Sequence, residues 1–97
     1  MPKYVVLVNF TDEWRKAIKQ FPERFRQIDQ MLTQSGVTEI ATVFTLGQYD
    51  AVSIVEAPDD ETLARLVLAQ AQTGSIQTTT LKGFAPAEFL QVIQSLP

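Results

Sequence analysis

Runs of β-branched and aromatic residues, each bounded by turn residues, predict four strands along the chain. A helical pattern of apolar residues separates the first strand from the second, and another separates the third from the fourth. The predicted strands cover residues 3–9, 37–46, 49–56 and 75–82. This alternation predicts a domain that combines a sheet with helices.

Gly47 and Gln48 separate the second predicted strand from the third. A Gly-X pair between two strands is typical of a two-residue type II′ hairpin, because the glycine adopts the positive φ that the turn requires. Pairing through this turn places four pairs of residues opposite each other: Leu46 and Tyr49, Phe44 and Ala51, Thr42 and Ser53, and Ile40 and Val55.

Apolar residues three and four positions apart predict the helices. Thr11 is the expected cap of a short first helix, and a break near Pro22 separates it from a longer helix that ends before Gly36. One apolar stripe continues through both helices: Trp14, Ile18, Phe21, Phe25, Ile28 and Leu32.

Two further helices follow the hairpin. The first begins at Asp59, whose carboxylate is expected to cap it, and ends at Gly74. Pro86 opens the last helix. The apolar face of that helix carries Phe89, Val92, Ile93 and Leu96.

The order of elements is β-α-β-β-α-β with an extra C-terminal helix, which is the ferredoxin-like pattern. By analogy with that fold we expect an α+β domain with a four-stranded antiparallel sheet in the order 4-1-3-2 and both main helices on one face. We expect strands one and three to run in the same direction in that order. Residues 1–97 are expected to form this one domain.

The central strands are apolar on both faces, although an antiparallel sheet with one face in water should alternate more regularly. Helices can cover only one face, so a second copy of the chain is the expected cover for the other. The face assigned to this homodimer carries Val6, Val8, Phe44, Ser53 and Val55. The alternative is that the C-terminal helix folds across this face in a monomer.

The composition narrows the functions open to the chain. It has 97 residues, a formal net charge of −3, and neither cysteine nor histidine. The charge argues against nucleic-acid binding, and the missing residues exclude disulfides, thiolate metal sites, a Ser-His triad and histidine-bound haem. The longest apolar run near the N-terminus has five residues, too few for a membrane span or a signal peptide, so we expect a cytoplasmic protein.

Several stretches resemble the GYD domain family, small bacterial proteins named after a Gly-x-Tyr-Asp-type motif. The motif corresponds to residues 46–50, and the resemblance extends over roughly residues 3–94. Further matching stretches are residues 3–11, 56–61 and 80–84. The resemblance implies a dimeric α+β barrel and brings no catalytic residue with it.

Two rival groups of residues are candidates for a ligand site. The hairpin-end group would gather at one end of the sheet and offers a carboxylate, tyrosines and lysines: Lys3, Tyr4, Tyr49, Asp50 and Lys82. The rival group, Asn9 and Trp14, would lie at the other end. For both groups the alternative is a structural role, in which Asp50 pairs with a lysine or the turn backbone and Trp14 packs in the core.

We therefore expect a small-molecule-binding or regulatory interaction module that acts as a homodimer, without a metal or cofactor. The alternative is an enzyme that resembles cofactor-independent monooxygenases or isomerases, with a pocket in each barrel. A purely structural subunit is the third hypothesis. The expected partners are a second copy and a small molecule, and neither nucleic acid nor a membrane.

Overall fold

The computed structural model describes residues 1–97 and contains four strands and four α-helices. The strands are β1 (Lys3–Phe10), β2 (Thr38–Phe44), β3 (Ala51–Glu56) and β4 (Ile76–Gly83). The helices are α1 (Asp12–Lys16), α2 (Phe21–Ser35), α3 (Asp60–Ala71) and α4 (Pro86–Gln94), and a 3-10 turn at Ile18–Gln20 joins α1 to α2.

The strands form one sheet in the order β2-β3-β1-β4, and all neighbours are antiparallel. This confirms the predicted strand order and a ferredoxin-like α+β fold. The expectation that β1 and β3 run in the same direction is wrong, because Lys3 lies opposite Glu56 and Val8 lies opposite Ala51.

The β2–β3 connection is longer than the predicted two-residue turn. Phe44 pairs with Ala51 as predicted, but residues 45–50 all lie outside the strands. The Asp50 backbone N–H donates to the Val8 carbonyl at 2.8 Å, which draws the end of the loop towards β1. Gly47 does adopt a positive φ, of 118°.

A register shift interrupts the other end of the β2–β3 pair. Thr42 faces Ser53 as predicted, but Glu39 rather than Ile40 lies opposite Val55. The irregularity falls between Glu39 and Ala41 and is a β-bulge, which places two residues of one strand against one of its partner.

Local chemistry explains the ends of the helices. The Thr11 hydroxyl accepts from the backbone N–H of Trp14, and the Asp59 carboxylate accepts from that of Thr62. Pro22 lies in the first turn of α2, where its missing N–H has no helical partner to lose, and the predicted break is the 3-10 turn before it. Gly36 ends α2 with φ 81°.

The core lies between the sheet, α2 and α3. Its eight clustered buried residues are Tyr4, Val6, Leu32, Val37, Val55, Ala57, Leu63 and Leu66. The helices therefore cover the face of the sheet that carries Val6 and Val55.

This placement corrects the predicted dimer face. Its residues lie on the helix side of the sheet, either in the core or around the cavity described below: Val6, Val8, Phe44, Ser53 and Val55. The alternate residues of the strands point away from the helices. We call the apolar ones among them the outer face: Val5, Leu7, Val43, Val52, Ile54 and Leu81. Val43, Ile54 and Leu81 are exposed.

Helix α4 projects from the rest of the fold. The whole chain, with α4 included, measures 53 × 30 × 18 Å. The helix packs extensively against no other element, although Lys3 pairs with Glu88 at its start. No helix in the structure combines the length and the apolar character that a membrane crossing requires.

Candidate functional site

A cavity of about 400 Å³ lies between the sheet and the helices α2 and α3. Hydrophobic residues form 16 of the 24 positions that line it. Its volume falls within the range of small-molecule sites, roughly 300–1,000 Å³, and such sites are mostly apolar with a few polar groups. The cavity is therefore the candidate ligand site of this fold.

Five aromatic side chains form one end of the cavity. They come from the end of β1, from α1, from the first turns of α2 and from the end of β2: Phe10, Trp14, Phe21, Phe25 and Phe44. The Phe10 and Trp14 rings are stacked with their centroids 3.7 Å apart, whereas Phe21 meets Phe44 edge to face at 5.6 Å. Because Phe44 is 54% exposed, the aromatic end also forms part of the mouth.

Polar groups enter the cavity at separate points. On the sheet, the hydroxyl oxygens of Thr42 and Ser53 lie 2.9 Å apart. On the helix side, Arg24 donates from Nη1 to the Ser75 hydroxyl at 2.9 Å. The ionisable residues that line the cavity are Arg24 and Glu39. This arrangement can hold a mainly apolar molecule and orient it through two charged groups and a few neutral ones.

The structure separates the rival pair Asn9 and Trp14. Trp14 lines the cavity, but Asn9 does not. The Asn9 side-chain amide instead donates to the Gln48 carbonyl at 2.7 Å, so it fastens the β2–β3 loop to the end of β1.

The structure also divides the hairpin-end group between the two ends of the sheet. Because β1 and β3 are antiparallel, Tyr49 and Asp50 lie beside the end of β1 rather than beside its start. Asp50 accepts a hydrogen bond from the Phe10 backbone N–H, and the Tyr49 carbonyl accepts one from the Thr45 hydroxyl.

Lys3, Tyr4 and Lys82 remain together at the opposite end, where each already has a partner. The Tyr4 hydroxyl donates to the Asp60 carboxylate, and this hydrogen bond, together with burial, raises the pKa of Tyr4 to about 12. The Lys82 Nζ lies 5.2 Å from the centroid of the Tyr4 ring.

Lys3 connects this end of the sheet to α4. Its Nζ lies 3.6 Å from Glu56 and 3.8 Å from Glu88. The backbone N–H of Ala85 and, less strongly, the Lys3 charge hold the pKa of Glu88 below its usual value. No group of three or more carboxylates converges anywhere in the chain as a cation site would require.

Arg24 is the cavity residue that the sequence analysis missed. It lies three residues after Phe21 and four before Ile28, on the same stripe of α2. A charged residue within an apolar helix face is a recognisable signal, because such a face ordinarily packs on the core.

The exposed side of α4 is a second candidate surface. We call four apolar residues at the spacing i, i+3, i+4 and i+7 the α4 stripe: Phe89, Val92 and Ile93 on α4, and Leu96 just after its end. Each of them is at least 47% exposed. An apolar stripe of this kind is normally covered by another protein surface.

Comparison with known proteins gives two matches. The model of the family described as GYD domain matches residues 4–93, which include nearly all of α4. The chain is also 37% identical over 91 residues to a protein of Thermus thermophilus. That relative is named glutamine synthetase and cystathionine beta-lyase binding protein, and the match covers 93% of this chain and 96% of the relative.

Proposed function

The chain belongs to the GYD domain family, and from this we propose that it is a protein-interaction module whose α4 stripe docks on a partner enzyme. The observation that carries the proposal is the exposure of the α4 stripe, three residues of which lie on a helix that packs against little of its own chain. Amphipathic helices that bind in a groove use this i, i+3, i+4, i+7 spacing for their anchors.

The name of the relative supports the choice of partner. Glutamine synthetase and cystathionine β-lyase are the enzymes in that name, and we propose an enzyme of one of these two kinds as the partner of this chain. The family match extends through Ile93, so most of α4 belongs to the part of the chain that resembles the family. This supports α4 as the docking helix.

The test is capture of purified glutamine synthetase or cystathionine β-lyase by the immobilised full-length chain. We expect Val92→Glu to weaken capture by about tenfold or more, since it places a charge in the middle of an apolar contact. Gln91→Glu adds the same charge at the neighbouring exposed position, outside the stripe, and should leave capture unchanged.

Each other outcome has a definite meaning. If neither enzyme is captured, the proposed partner is wrong. If Val92→Glu binds as well as the unmodified chain, α4 is not the docking helix. If Val92→Glu instead separates a dimer into monomers, a second copy rather than an enzyme covers the α4 stripe.

We further propose that the module acts as a homodimer in which a second copy covers the outer face. The chain exposes 6749 Å², whereas a folded monomer of 10.9 kDa ordinarily exposes about 5,600 Å². The excess, roughly 1,100 Å², belongs to the whole chain, α4 included, and exceeds the about 800 Å² that each partner buries in a standard interface. The exposure of Val43, Ile54 and Leu81 is what supports the outer face as the dimer contact. A symmetric dimer would use the same apolar patch on both copies.

Light scattering coupled to size-exclusion chromatography tests the dimer. We expect a dimer at micromolar concentration, and we expect Ile54→Arg to convert it to monomer because the arginine would lie within the buried patch. Gln30→Arg, on an exposed position of α2, adds the same charge away from the outer face and should leave the dimer intact. A monomer of the unmodified chain contradicts the proposal.

Binding of a small molecule in the cavity completes the proposed function. The volume, the apolar lining and the few polar groups support it. The second candidate function, a cofactor-independent enzyme, is favoured by one observation, the position of Trp14 in the cavity wall. Glu39 is the carboxylate that lines the cavity and would be its acid–base group. Oxygen uptake with an aromatic quinol, abolished by Glu39→Gln, would support the enzyme.

A further inference from the structure

We propose that the cavity binds an aromatic carboxylate, with the ring against the aromatic end and the carboxylate on Arg24. This inference rests on the ligand-binding part of the proposed function and names the chemical class of the ligand. It is independent of the docking of α4 on an enzyme.

The aromatic end accounts for the ring. Phe10, Trp14, Phe21, Phe25 and Phe44 present both ring faces and ring edges within a few ångströms of one another. Aromatic rings pack favourably in both stacked and edge-to-face arrangements. A flat aromatic group is therefore the shape and the surface that this end of the cavity fits best.

Arg24 accounts for the charge. The other three arginines, Arg15, Arg26 and Arg65, each form an ion pair with a carboxylate of their own helix. Arg24 has no such ion pair, and its only side-chain hydrogen bond is the one to Ser75. A guanidinium carries five N–H donors in a planar fork that matches a carboxylate, so most of its donors remain free for one.

The two features lie close enough for one small molecule. Phe21 and Phe25 flank Arg24 on α2 at spacings that place all three on the same side of the helix. Ser75, which accepts from Arg24, precedes Ile76, and Ile76 pairs with Phe10 across the β1–β4 ladder. Arg24 therefore lies beside the aromatic end, and a neutral ligand there would leave a cation without a counter-charge.

The experiment compares 2-naphthoate with its neutral analogue 2-naphthamide by isothermal titration calorimetry on the full chain. We expect 2-naphthoate to bind about tenfold tighter or more, because only the carboxylate can form an ion pair with the guanidinium through two parallel hydrogen bonds. Trp14 is the only tryptophan, so a change in its emission on binding reports that the probe occupies the cavity.

Variants of Arg24 test its role. Arg24→Gln should remove the preference for 2-naphthoate, and Arg24→Lys should retain part of it. Arg26→Gln removes an exposed arginine two residues away and should retain the full preference. Circular dichroism of each variant checks that the fold is intact.

Two results would overturn the inference. Equal affinity of the unmodified chain for both probes would show that the site does not select an anion, although ligand binding itself would stand. If neither probe binds, the cavity is not a site for an aromatic ligand. Capture of the partner enzyme, measured separately, would be unaffected by either result.

Discussion

Asp50 and Phe10 are joined by a hydrogen bond of 2.7 Å, in which the Phe10 backbone N–H donates to Oδ2 of Asp50. The bond fixes the loop after β2 to the end of β1, at the residue whose ring lies in the cavity wall. Within the motif at residues 46–50, the aspartate therefore supports the site through the backbone rather than through a lysine.

We expect Asp50→Ala to lower the free energy of unfolding by about 1.5–3 kcal/mol, because the Phe10 N–H loses a charged acceptor. Asp50→Asn keeps an acceptor oxygen in the same place and should have a smaller effect. Urea unfolding at neutral pH measures both. If Asp50→Ala were as stable as the unmodified chain, the carboxylate would have no structural role and its assignment as a ligand-binding residue would gain weight.

The order of the strands is expected only by analogy with the ferredoxin-like fold, whereas the direction of each strand follows from the sequence, because each connection is local. A helix between β1 and β2 allows these strands to run parallel, and the hairpin turns β3 against β2, so β3 must also run against β1. The sequence alone therefore indicates that β3 runs against β1. The prediction of parallel β1 and β3 is the reason that Asp50 was expected beside Lys3 rather than beside Phe10.

The pattern of apolar residues does not show which face of the sheet the helices cover. In β1, Val6 and Val8 point to the helices and Val5 and Leu7 point away, yet all four are apolar. Alternation assigns residues to two faces, but it cannot say which face is covered when both are hydrophobic. The bulge beside Ile40 also lacks a glycine or another local signal.

Tyr4 makes stability depend on pH at the alkaline end. Its pKa in the folded chain, about 12, exceeds the ordinary value of 10.0 because the hydroxyl donates to Asp60. The stability contributed by the protonated hydroxyl is therefore complete below pH 10 and is lost as the pH rises from about 10 to about 12.

Thermal unfolding of the unmodified chain and of Tyr4→Phe, compared at each pH, should show this effect. Below pH 10 we expect the variant to be less stable than the unmodified chain, and the gap should close as the pH approaches 12. Tyr49→Phe removes the other tyrosine hydroxyl and is the matched control. A gap for Tyr4→Phe that stays constant up to pH 12 would contradict the role of the Tyr4–Asp60 bond.

Asp59 makes stability depend on pH at the acidic end. Hydrogen bonds from the backbone and then the hydroxyl of Thr62, both 2.8 Å long, lower the pKa of Asp59. A lowered pKa means that the stability is present above the ordinary value of 3.8 and is lost as the pH falls below it.

Asp59→Ala should lower the melting temperature at pH 7 by about 5 °C, because α3 loses its N-cap. Asp59→Asn keeps a capping oxygen and should retain most of the melting temperature while losing the pH dependence of the cap. Melting curves at pH 7 and pH 3 measure both. If Asp59→Ala lowers the melting temperature by the same amount at pH 7 and at pH 3, the charge of the Asp59 carboxylate does not contribute to stability.

Gly36 ends α2 in a left-handed conformation, with φ 81°, although an added Cβ would meet no atom within 4 Å. We expect Gly36→Ala to lower the free energy of unfolding by about 1–2 kcal/mol, from backbone strain alone. Gly83→Ala is the matched control, since Gly83 lies in β4 without a positive φ and its added Cβ would make an ordinary contact of 3.6 Å with the Lys3 carbonyl. The control should be neutral or slightly stabilising, because alanine restricts the unfolded chain more than glycine does. Urea unfolding measures the free energy of unfolding of both variants. If Gly36→Ala and Gly83→Ala lower it equally, the effect comes from replacing glycine in general and not from the left-handed conformation that ends α2.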